Sequence, residues 1–117
     1  MLPAQVKPLI DAKVVEQLDV RVGTIESVAA IEGADRLVQM SVNFGDHKRT
    51  IVAGLKQERE DPTEIQGKQA LFIVNLHPRK MRGIVSEGML FDIGYADGIT
   101  PVLAIPESPV PAGARAG

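Results

Sequence analysis

The sequence predicts an all-β protein: a small barrel of five strands with one short helix and an extension at each end. Three observations carry the prediction. Five runs rich in Val, Ile and Phe either alternate apolar with polar residues or are apolar throughout, the two patterns that strands show. A short helix signal lies between the third and fourth runs, whereas an alternating strand–helix fold would need several long helices. Glycine-containing turns separate the runs.

The elements follow in order. Residues 19–28, "DVRVGTIESV", alternate as a first strand, with Gly23 as a bulge or bend. "AIEGADR" is a loop around Gly33. Residues 37–44 put Val38, Met40, Val42 and Phe44 on one side, a half-buried second strand. "GDHK" turns the chain, and "RTIVAGL" is the third strand, so the two form a hairpin. Asp61 then caps a helix of one or two turns, with Pro62 at its first position, Glu64 three residues after the cap and Gly67 at its end. Residues 69–76, "QALFIVNL", are a buried fourth strand. Residues 84–95 are a fifth, broken or bulged at Gly88. "ITPVLAI" supplies a last short strand, and "PESPVPAGARAG" is extended or loose. At the other end "LIDAKVVEQL" reads as a short helix capped by Asp11, with Val14, Val15 and Leu18 on one face. Strand–strand–strand–helix–strand–strand is the order of the OB-fold, in which the loops joining strands 1–2 and 4–5 frame the ligand face. Here those loops are "AIEGADR" and "HPRKMRG". We expect one domain over 1–117, with a barrel core of about 18–95 and extensions 1–17 and 96–117.

Composition narrows the function. The 117 residues are 44% hydrophobic and 24% charged, the balance of a soluble globular chain. No apolar run approaches the ~20 residues of a membrane span, and the N-terminus does not read as a signal peptide. The absence of cysteine excludes disulfides and thiol catalysis and fits a cytoplasmic protein. The net charge of −2 argues against a surface coated in positive field, so any nucleic-acid contact must be local. With Phe44, Phe72, Phe91 and Tyr95 as the only aromatics, stacking of successive unpaired bases is poorly supplied.

Against this acidic background, three cations fall within four residues, Arg79, Lys80 and Arg82, in the loop between strands four and five. "LDVRVGTI", "ADRL", "RTIVAGL", "IQGK", "VNLHPRKMRG" and "SEGM" stand in an order that resembles one family across residues 11–113. It is the tRNA-binding domain appended to bacterial methionyl-tRNA synthetases. The same domain also exists as free-standing dimeric tRNA-binding proteins and in the cytokine-like cofactor of animal synthetase complexes. The resemblance implies an OB-fold that holds folded tRNA by shape and backbone. It implies a homodimer formed through segments outside the barrel, and an accessory role, in trans, to an aminoacyl-tRNA synthetase. It places the site on Arg36, Asn75, His77, Arg79, Lys80, Arg82, Ser86, Gly88 and Met89. The alternative within the family is a chaperone that binds unfolded polypeptides during export. This chain departs from the family in having Glu32-Gly33 in place of Pro-Asn, His77 in place of Lys, and an acidic "KQERE".

The residue chemistry suits RNA. Cations neutralise phosphates and release counterions. Arg forks onto phosphate oxygens where Lys cannot. Ser86 offers a hydroxyl, Gly88 a close backbone approach or merely a bulge, and Met89 a polarizable surface or a core side chain. His77 adds a proton-dependent charge or stands neutral, and His47 reads as solvated. No enzyme, metal site or cofactor is expected. Two histidines thirty positions apart are no metal pattern, no Gly-rich phosphate loop is visible, and Glu58, Glu60 and Asp61 read as a solvated cluster at a helix start.

Overall fold

The structure is a computed structural model that describes residues 2–55 and 59–117. After a short helix, α1 (Ala12–Glu16), come strands β1 (Val20–Ala30), β2 (Val38–Asn43) and β3 (Lys48–Ala53). A 3-10 turn at Pro62–Ile65 leads into β4 (Gln69–Ile73). Beyond it lie β5 (Arg79–Met81), β6 (Ile84–Ser86), β7 (Met89–Leu90), β8 (Asp92–Ile93), β9 (Val102–Leu103) and β10 (Arg115–Ala116). The main sheet is antiparallel in the order β3-β2-β1-β4-β7 and curls into a nearly closed barrel, the OB-fold that the strand order implies.

β1 spans the barrel because it serves two partners. Its second half, Thr24–Ala30, pairs with β2, and its first half, Val20–Thr24, pairs with β4. The register against β2 slips between Ile25 and Ser27, so the bulge falls at Glu26 rather than at Gly23. Glu26 there reaches Lys48 of β3. Gly23 has a different reason. A Cβ at that position would lie 2.4 Å from Val42 Cγ1 and 2.9 Å from Phe44 Cε1, so only hydrogen lets the core close over β1.

The alternation read in β2 is the one observed: Val38, Met40 and Val42 are buried. They join Ile25, Ile51, Leu55, Ile65, Ala70, Phe72, Leu90 and Leu103 in one core. Asp61 caps the 3-10 turn by accepting from the Thr63 N–H (3.1 Å), but Glu64 does not complete a reciprocal cap. It pairs instead with Arg59. Glu58, read with Glu60 and Asp61 as a solvated cluster, lies outside the described residues.

The C-terminal tail is docked. β2 leaves the first residues of β1 without a neighbour on its side, and β10 takes that edge, pairing Val20 with Ala116 and Arg21 with Arg115. Val22 N–H donates to Ala114 O (2.8 Å) and Gly113 N–H to Val22 O (2.7 Å). Arg21 and Arg115 both grip Asp19, and the Arg21 bond holds the Asp19 carboxyl below its usual range. Of the two readings of the tail, extended is the one observed: the Pro/Gly segment carries few side chains to pack, but its backbone completes the sheet.

Among the described residues, no helix is long and apolar enough to cross a membrane.

Candidate nucleic-acid interface

The basic segment is a hairpin, not an open loop. β5 and β6 pair as Arg79–Ser86, Lys80–Val85 and Met81–Ile84 around a two-residue turn. Arg82 and Gly83 sit at the turn with φ of 51° and 81°. Positive φ at both central residues is the twist-matched turn of tight hairpins, and Gly is at home there. Arg is not. Arg82 is the one non-glycine residue with positive φ among those described.

Alternation along the hairpin gives it two faces. Met81 and Ile84 turn inward onto Ile31, Ala34, Val52 and Leu37, a small second core. That packing fixes the hairpin against the β1–β2 loop, and Arg36 and Arg82 line one cleft of about 290 Å³ together with Ala34, Asp35 and Leu37. The two loops expected to frame a ligand face therefore lie against each other.

Of the expected site residues, Arg36, His77, Arg79, Lys80 and Arg82 are exposed on these segments. Among the described residues, none of the four cations Arg36, Arg79, Lys80 and Arg82 has a carboxylate within ion-pair range. Other cations are spoken for: Arg21 and Arg115 by Asp19, Lys48 by Glu26, Arg59 by Glu64. Arg49 donates to His47 Nε2 (3.0 Å) and to the carbonyls of Val74 (2.6 Å) and Glu87 (3.0 Å). Among the described residues Lys7, Lys13 and Lys68 have no carboxylate partner either, but they lie on the N-terminal arm, on α1 and in the turn before β4.

Three expected contacts turn out to hold the protein together. Ser86 is 5% exposed; its Oγ accepts from the Val52 N–H (3.0 Å) and donates to Gly88 O (3.1 Å). The Glu87 carboxylate accepts from the Thr50 N–H (3.1 Å), and Glu87 N–H donates to Thr50 O (2.8 Å). Ser86 and Glu87 thus supply the ladder that β3 lacks on its outer edge, and close the barrel there. Gly88 is small for the same seam: a Cβ would lie 2.9 Å from Ile73 O and 3.2 Å from Ile51 Cδ1, so the chain approached is the protein's own. Asn75 spends its amide on backbone, accepting from the Asp19 N–H (2.8 Å) and donating to Gln17 O (2.6 Å). Met89, open between core and contact in the sequence, is 45% exposed beside Ile73. His47 is exposed, as read, and also stacks on Phe44 and bonds Asp46 (2.6 Å).

A prediction follows for Ser86→Ala. It strands the buried Val52 N–H, so the expected cost is about 1–3 kcal/mol of stability. Thermal melts run beside RNA titrations should show that loss with RNA affinity unchanged well below the melt. Weakened affinity at full folding would return the hydroxyl to the ligand.

The comparisons with known proteins agree with this geometry. The family described as "Putative tRNA binding domain" matches residues 20–115. The methionine–tRNA ligase of Parabacteroides distasonis is 44% identical over 99 residues, 85% of this chain and 14% of the ligase. The chain thus spans about one-seventh of that relative's length. The MetRS-related protein of Pyrococcus horikoshii superposes with a TM-score of 0.85 at 33% identity, over 95% of this chain and 100% of that one. The chaperone CsaA of Bacillus anthracis superposes with a TM-score of 0.80 at 20% identity, over 94% of this chain and 100% of that one, a likeness of fold alone. By the match across residues 20–115, the chain belongs to the tRNA-binding-domain family.

Proposed function

We propose that this chain is a non-catalytic module that holds folded tRNA by its backbone, through Arg36, Arg79, Lys80 and Arg82, and serves as an accessory to an aminoacyl-tRNA synthetase. The observation that carries the reading is four cations without carboxylate partners among the described residues, on two segments packed together, in a protein of net charge −2. The left-handed Arg82 adds to it. A cation kept where glycine would be easier is strain of the kind that gathers at binding sites. His77 stands exposed two residues before Arg79 and completes the basic stretch. The aromatic inventory supports shape over stacking, because Phe44 and Phe72 are buried in the core.

The working form in this reading is a homodimer. Leu2, Val6 and Leu9 on the N-terminal arm are 91%, 92% and 98% exposed. Val14, Val15 and Leu18 on and beside α1, and Ile93, Tyr95 and Ile105 beyond the barrel, are exposed as well. The two extensions meet where Ala4 N–H donates to Asp97 Oδ1 (2.7 Å). So many exposed apolar side chains at both ends of the chain suit a two-fold contact with a second copy.

Titration against folded tRNA, poly-U and an unfolded polypeptide at one salt concentration tests the reading. Folded tRNA should bind at least about tenfold more tightly than poly-U. Equal affinity for the two would overturn shape recognition. Preference for the polypeptide would instead favour the chaperone reading, whose support is the apolar rim of Leu76, Val85 and Met89 around the same hairpin.

A further inference from the structure

We propose that Asn75 is a positioning residue for RNA binding: it ties the basic hairpin to the end of α1, so that seating α1 on a second copy sets where the hairpin begins. The inference rests on the reading of the hairpin as the RNA contact and deepens it.

The geometry is a short chain of bonds. β4 ends at Ile73, and the Val74 N–H still donates to Asp19 O (2.9 Å). Arg49 grips the Val74 carbonyl from the β3 side. Asn75 grips from the other side: its Oδ1 takes the Asp19 N–H at the entry to β1, and its Nδ2 donates to Gln17 O. Gln17 is the C-cap of α1. One side chain thus fastens both the helix end and the strand entry to the stretch leading into Arg79. The stretch 76–78 is exposed, so this tie sets the start of β5, while Met81 and Ile84 hold the turn end of the hairpin. α1 itself has no buried side chain; its hold on the barrel is polar and local, and its apolar residues await a partner. Through this amide the position of α1 bears on the start of the hairpin, Arg79 first, while the packed turn end stays anchored. Both bonds go to backbone atoms, so the link survives side-chain changes in α1 and is cut at Asn75 alone.

The test is a double-mutant cycle in tRNA affinity, with self-association followed by sedimentation. Asn75→Ala should weaken tRNA binding about tenfold by releasing one or two residues from a fixed direction. The salt slope of log K should not change, because no charge is lost. Val15→Asp, on the exposed face of α1, should lower self-association and also weaken tRNA binding. The double variant should bind no worse than the weaker single, since the same tie is already cut. Additive losses would overturn the inference, as would Asn75→Ala binding like the parent. If Asn75→Ala proves poorly folded, the isosteric Asn75→Asp, which accepts from Asp19 but cannot donate to Gln17, carries the cycle. Undiminished binding by Arg79→Ala and Arg82→Ala would remove the hairpin from the RNA contact and overturn both readings. Weakened binding in those variants with an additive cycle would overturn this one alone.

Discussion

Phe72→Ala is expected to lower stability by about 3–5 kcal/mol, the largest loss from any single truncation in this barrel. Phe72 is fully buried on β4, pairs across the sheet with Arg21 and Leu90, and meets Phe44 edge-on with centroids 5.6 Å apart. Truncation removes the transfer term of a whole ring and leaves a hole. The neighbours cannot fill it, because Gly23 already lets Phe44 sit hard against β1. In a chain of this size such a loss lowers the melting temperature by roughly 10–20 °C, against a total stability typical of about 5–15 kcal/mol. Denaturant titration checks it. A loss below about 1.5 kcal/mol would mean that the core repacks around the void and that the tight contact at Gly23 is softer than the geometry shows.

The barrel was legible in the sequence because its strands follow the rule of alternation. Val38, Met40 and Val42 face inward for the reason they were chosen: one face of the strand needs apolar area and the other does not. The tail defeated the same reasoning. β10 docks through backbone bonds to Val22 and through the Arg115–Asp19 pair, and backbone pairing leaves no mark on composition. Of the candidate site, the exposed charge was legible and the internal bonds were not. A cluster of cations shows in a sequence as charge, and Arg79, Lys80 and Arg82 stand exposed as charge demands. Ser86, Gly88 and Asn75 could not be read in that way. A hydroxyl, a missing Cβ or an amide serves a phosphate and a backbone amide equally well, and the partner that decides lies far along the chain: Val52 for Ser86, Ile73 for Gly88, Gln17 and Asp19 for Asn75. Arg49 shows the converse. It looks like another RNA-seeking cation, and yet its guanidinium is consumed by His47 and two carbonyls.

Replacing Arg79, Lys80 and Arg82 together by Ala should weaken tRNA binding by about 10³-fold or more, the largest expected effect on function. Each charge-assisted bond to a phosphate contributes on the order of 1.5–3 kcal/mol, and three are removed. The salt dependence gives the sharper reading. Each phosphate neutralised adds close to one unit to the slope of log K against log salt concentration, so the triple variant should lose about two to three units. The loss should be uniform over different tRNAs, since phosphates carry no sequence information. Stability should not fall. The three side chains are exposed and without carboxylate partners among the described residues, and the inward face of the hairpin, Met81 and Ile84, is untouched. Replacing Arg82 by Gly in a separate variant isolates the turn: the backbone strain at φ 51° is relieved while one charge is lost. That variant should be at least as stable as the parent and should bind more weakly, with a slope lower by about one unit. A protein that gives up affinity when a strained turn is relaxed is using that turn for its ligand. If the triple variant instead binds tRNA with an unchanged slope, the phosphates are neutralised elsewhere and the hairpin is a structural feature of the barrel alone.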